Sequence, residues 1–178
     1  MENIQNEEMV PKKSMNTNSM YYGLLTSIAV IVYYLITYVA GLSMNEFVSY
    51  PGYIILIVGI VMGTIAYRDK HNDRFLTYGK SFTSGFLIGL YASIIGAIWT
   101  FIFFKFIGSE LIPLIHEKVR MEMLRKNPNI SEDIINMQIK YITPLYMAIG
   151  TFFMSVVFSA ISGLIAAAFI KKEEPQLL

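Results

Sequence analysis

The chain has 178 residues, 54% of them hydrophobic and only 15% charged, with a formal net charge of +1 and no cysteine. Globular proteins average about 25% charged residues. The near-zero charge excludes a global field that would gather nucleic acid, and the missing cysteines exclude disulfides, thiolate catalysis and Cys-ligated metals. Asp, Glu, Lys and Arg are absent from residues 14–45, 47–67, 81–104 and 141–170, more than half of the chain. A bilayer-spanning helix needs roughly 20 mostly apolar residues. The expected fold is an all-α membrane protein with four transmembrane helices.

Residues 1–20 read as a polar tail, with Glu2, Glu7 and Glu8 ahead of Lys12 and Lys13. They lack the short basic start and brief apolar run of a cleavable signal, so the first span is expected to be an uncleaved anchor. Span 1 covers about 21–42. Tyr21, Tyr22 and Tyr38 fit the aromatic belts of a membrane interface. Tyr33 and Tyr34 fall mid-span, where a phenol needs a hydrogen-bond partner; a neighbouring helix or a lined cavity would supply it. Span 2 covers about 47–67. If it starts only after the Pro51-Gly52 turn, it is short enough to sit near-perpendicular or to thin the bilayer. A polar link, 68–80, leads to span 3 at about 81–107, whose Lys105 is placed to snorkel to the headgroups.

Residues 109–140 predict an amphipathic helical pair. Ser109 is a plausible N-cap, and Ile112, Ile115, Val119 and Met123 share one helical face. Asn127-Pro128 breaks this helix. Ser131 is expected to cap the next, Glu132 and Asp133 suit its positive end, and Ile130 and Ile135 stand at the positions of a hydrophobic staple. The pair is expected on the membrane surface or over the bundle. Thr143-Pro144 opens span 4, because proline at a first helical position loses no hydrogen bond. The span covers about 144–170 and stops at Lys171-Lys172. Residues 21–172 thus form one transmembrane domain, followed by a 173–178 tail.

Four spans put both termini and the 68–80 link on one side, with Lys12, Lys13, Arg68, Lys70, Arg74, Lys80, Lys171 and Lys172. The opposite side has no basic residue in 43–52 and five in 106–144. Lys and Arg bias short loops to the cytoplasm, so both termini are expected inside and 109–140 outside. Tyr67, Arg68, Lys80, Lys105, Lys171 and Lys172 are the expected membrane-interface residues.

In lipid, small residues mark helix contacts because apolar surface gains nothing by burial there. Ser81, Gly85, Gly89, Ser93 and Ala97 form a four-residue repeat in span 3, and Thr151, Ser155, Ser159, Gly163 and Ala167 form one in span 4. Gly59 and Gly63 do the same in span 2. These stripes predict tight packing, within one bundle or across a homo-oligomer seam.

No span interior carries Asp, Glu, Arg or His, the usual marks of ion pathways and proton relays. His116-Glu117 is followed by Arg120 where a zinc-protease helix needs its second histidine. Asp69, His71 and Asp73 read as solvated residues of a membrane-edge link. No catalytic, cofactor or metal residue is expected.

Several short motifs keep a characteristic order: Tyr22-Gly23, Tyr67-Arg68-Asp69, Tyr78-Gly79-Lys80-Ser81-Phe82 with Gly85 beyond, Thr143-Pro144, Ser162-Gly163-Leu164-Ile165-x-Ala167 and Ile170-Lys171-Lys172. Over about 18–172 the chain resembles the bacterial membrane family called domain of unknown function 4199, common in Bacteroidota. The resemblance implies a four-helix inner-membrane protein and no reaction, substrate or cofactor. The expected function is a non-enzymatic subunit or scaffold that binds the lipid bilayer and a membrane-protein partner or a second copy. One rival is a small oligomeric transporter or channel lined by Tyr33, Tyr34, Trp99 and the Ser/Thr of span 4. The other is an enzyme on lipid headgroups using His71, Asp73, His116 and Glu117.

Overall fold

A computed structural model describes residues 13–173. The tail residues 1–12 and 174–178 lie outside the described residues. Six helices follow in order: α1 (Met15–Val39), α2 (Tyr50–His71), α3 (Tyr78–Ile102), α4 (Leu111–Lys126), α5 (Glu132–Ile139) and α6 (Pro144–Ile170). The helices α1, α2, the unit Tyr78–Ile107, and α6 are long and apolar enough to cross a membrane. The all-α, four-span expectation holds.

The boundaries differ from the sequence reading for local reasons. Helix α1 starts at Met15 because the Ser14 hydroxyl accepts the Thr17 N–H at 3.2 Å, so part of the expected tail is helical. Helix α2 starts at Tyr50. Pro51 falls in its first turn, where N–H groups have no helical partner, and Pro51-Gly52 therefore does not shorten the span. Helix α3 starts at Tyr78 and its last turn widens into a π-helical segment, Phe103–Ile107, closed by the Gly108 N–H on the Phe103 carbonyl at 2.8 Å. Glu110 rather than Ser109 precedes α4, and neither it nor Ser131 before α5 makes a side-chain cap. Thr143 does cap α6, with Pro144 in the first turn.

The spans run up, down, up, down. We call the end that gathers Met15, His71, Tyr78 and Ile170 proximal and the other distal. The proximal half is packed by small residues. A Cβ on Gly89 of α3 would stand 2.2 Å from the Ser159 Cβ of α6, and one on Gly85 would stand 3.5 Å from the Gly163 Cα. Gly23 lets α1 reach the Ile88 carbonyl and Tyr91 of α3. Gly59 faces Thr26, and Gly63 faces Tyr22 and Ile88. Ile60 and Ile88, both fully buried, form a core with Leu56 and Ala92. Polar bonds add to it: the Asn18 amide donates to the Gly63 carbonyl at 3.0 Å, and Ser19 donates to the Ser84 carbonyl at 3.4 Å.

The 72–77 link closes this end. Leu76, 1% exposed, exchanges two backbone hydrogen bonds of 2.7 and 2.8 Å with Lys172. The Arg68 guanidinium donates to the Ile170 carbonyl at 2.9 Å while paired with Asp69 at 2.7 Å. A cation on the last carbonyls of a helix is favourable, so Arg68 ties α2 to the end of α6. Lys80, Lys171 and Lys172 are exposed around this rim, and Tyr67 is half-buried. Lys105 is exposed at the distal end, its ammonium over the Phe101 and Phe106 rings.

The Gly89–Ser159 contact yields a sharp expectation. Gly89→Ala should destabilise the bundle by about 1–3 kcal/mol, the usual cost of overpacking. Adding Ser159→Gly removes the opposing Cβ and should recover most of the loss. Thermal melts of the two single variants and the double variant measure the coupling; additive losses would contradict the contact.

Candidate functional site

Distal to the Ile60–Ile88 core the packing changes. Aromatic rings now enter the contacts between helices: Tyr53 lies 4.8 Å from Phe158 and Tyr34 abuts Gly52. Bulky spacers hold the helices apart, and a void follows. Its inner part, about 310 Å³, lies between all four spans, with Leu56 and Ala92 at its floor and Ser27, Ser93, Gly96, Gly150 and Ser155 on its walls. Its outer part, about 420 Å³, lies under the 43–48 connection and α4, bordered by Asn45, Phe103, Phe104, Leu111, Ile115 and Lys118. Tyr34, Trp99, Thr100 and Thr151 line both parts, so the two adjoin along these four residues. Volumes of this size are those of small-molecule sites.

The cavity is less polar than its composition implies. The hydroxyls of Ser27, Thr37, Ser93 and Thr100 donate to carbonyls of their own helices at 2.7–2.9 Å. That is the ordinary way to satisfy Ser and Thr where water is scarce. The hydroxyls of Ser43, Thr151 and Ser155, the Tyr34 and Tyr53 phenols and the Trp99 indole N–H have no hydrogen-bond partner among the described residues. Tyr33 is different, since its hydroxyl donates to the Val48 carbonyl at 2.7 Å and fixes the 45–49 turn. Tyr34 lines the cavity and Tyr33 does not.

Two glycines stand out. Gly in a helix interior costs about 1 kcal/mol relative to Ala. At Gly59, Gly63, Gly85, Gly89 and Gly163 a neighbouring helix occupies the space a Cβ would take or reach. At Gly96 and Gly150 a Cβ would meet nothing within 4 Å, and both line the inner cavity. Sequence reasoning missed them, because spacing does not show whether a helix or a void faces a glycine. Of the expected packing residues, Ser81 and Ser159 are buried with hydroxyls that find no partner. Ser93 and Ser155 border the cavity instead.

Helix α4 borders the mouth through Leu111, Ile115 and Lys118, and α5 packs on α4. Tyr38 donates to the Ile107 carbonyl at 3.1 Å and to the Glu110 carboxylate, His116 Nε2 meets the Ile142 carbonyl at 3.0 Å, and Arg120 pairs with Glu132 at 3.1 Å. His116 and Glu117 lie at the distal end. His71 and Asp73 lie at the proximal end, separated by the 22-residue helix α2, roughly 30 Å long. These four residues are not brought together.

An up-down bundle of four apolar spans, closed proximally and hollow distally, defines a small multi-pass membrane protein. The chain belongs to the family described as Protein of unknown function (DUF4199), which it matches over residues 21–172. No curated protein and no solved structure matches it.

The Tyr38 hydroxyl, and then the backbone N–H of Glu110 itself, hold the Glu110 carboxyl below its usual range. A depressed folded value stabilises the fold above the unfolded Glu value of about 4.3, and the contribution is lost as pH falls through the lower folded value. Tyr38→Phe should therefore raise the Glu110 titration toward the ordinary range, which carbon-13 NMR of the carboxyl can follow. An unshifted titration would contradict the bond.

Proposed function

We propose that the protein is a non-enzymatic subunit or scaffold of a membrane complex and that α4–α5 is its docking element. One observation carries this reading. Helix α4 has two apolar faces: Ile112, Ile115, Val119 and Met123 are half-buried, while Leu114, Met121 and Leu124 are exposed. Ile134 and Met137 of α5 are exposed as well. Residues 109–140 carry five acidic and five basic residues. A helix that lies on anionic lipid is enriched in Lys and Arg, so the balanced charge favours a protein partner over the bilayer surface. The cavity's blind proximal end supports binding rather than conduction.

The basic rim of the proximal end supports a cytoplasmic location for both termini in a bacterial inner membrane, with 109–140 on the outer side. Crosslinking intact cells, followed by gentle solubilisation and mass spectrometry, tests the role. A defined membrane protein should accompany the wild type and be lost from the Leu114→Glu, Met121→Glu double variant, while the bundle melts unchanged. A homo-oligomer with nothing attached would contradict the scaffold reading and favour the rival, an oligomeric transporter.

A further inference from the structure

We propose that the distal cavity is a binding site for an acyl chain that ends in acceptor oxygens, a fatty carboxylate or the ester-bearing chain of a phospholipid. The inference is independent of the docking role of α4–α5.

Three observations converge on this chemistry. The first is shape. From Ala92 at the floor to Phe104 at the mouth the cavity follows α3 for about twelve residues, roughly 18 Å at the helical rise. Val30, Ile31, Leu56 and Met154 make the inner part apolar, whereas Ser43, Asn45 and Lys118 border the outer part. A slender amphiphile fits this gradient with its tail inward and its polar end toward the outer part.

The second is hydrogen-bond valence. The Ser and Thr protons of the walls are mostly committed to backbone carbonyls. The Tyr34 phenol and Trp99 N–H are unpaired among the described residues and sit where the two parts of the cavity join. Tyr34 is 38% exposed and Trp99 is half-buried, so an acceptor entering the cavity meets both donors without breaking an existing bond, with apolar surface on the inner side. A carboxylate or ester oxygen is such a group.

The third is the glycine pair. Gly96 and Gly150 serve no helix contact, and both border the cavity. Their effect is to keep the inner channel wide enough for a chain of methylenes.

The test uses the full-length protein in phosphatidylcholine nanodiscs and a stearate carrying a photoreactive diazirine in its tail. Irradiation should give adducts on cavity-wall residues such as Leu56, Ser93 and Trp99. These should be lost in Gly96→Leu and Gly150→Leu, which fill open space and should not lower the melting temperature. Trp99→Phe keeps the ring and removes the N–H, and should weaken capture. Placing the same photogroup on a phosphatidylcholine acyl chain distinguishes the source: wall adducts from stearate alone identify a free carboxylate, and adducts from both identify bilayer lipid. Adducts confined to outward residues such as Ile98 and Phe153, or wall adducts that persist in both glycine variants, would overturn the proposal.

Discussion

The close approach of α3 and α6 at Gly85–Gly163 and Gly89–Ser159 is the constraint on which the remaining architecture rests. In a bilayer, helices gain nothing by hiding apolar surface from one another, so contact has to come from backbones that come near. Once α3 and α6 are joined there, Ile60 and Ile88 fill the space beside the seam and α1 and α2 close around them through Gly23, Gly59 and Gly63. The proximal bridge between Leu76 and Lys172 and the Arg68 bond to Ile170 then hold the helix ends in the register the seam sets.

The same logic explains the hollow end. The close approach of backbones at glycines stops near the middle of the spans, and ring contacts, Tyr34 on Gly52 and Tyr53 on Phe158, take over. A helix pair spaced by rings leaves gaps between the rings, and such gaps in lipid need not be filled by the chain itself. The result is an asymmetric object, close-packed at the proximal end and open where α4 borders the distal end. The asymmetry suits a protein that holds something at one end while staying rigid at the other.

Much of this was legible in the sequence. Charge-free stretches of spanning length gave the four helices, and Thr143-Pro144 marked the start of α6 to the residue. The spacing of Gly85, Gly89, Ser159 and Gly163 identified small-residue faces, and the structure sets those faces against each other. Local capping was less legible: Ser14 starts α1 early and Pro51 is absorbed into α2, because one hydroxyl or one first-turn position outweighs the polarity of a few residues. Least legible was the cavity. A glycine against a neighbouring helix and a glycine facing a void have the same spacing, and only the packing around each tells Gly89 from Gly96. The Tyr38–Glu110 and Arg68–Ile170 bonds join residues far apart in the chain, and neither residue type alone signals them.

The central claim is that one turn of α6 separates a sealed seam from an open cavity, and the missing native cysteine makes it directly measurable. Ser155→Cys and Ser159→Cys each introduce a single thiol, the first on the cavity wall and the second in the seam. The account predicts that a small uncharged thiol reagent modifies the protein at position 155 readily and at position 159 far more slowly under the same native conditions. Equal rates at the two positions would contradict it.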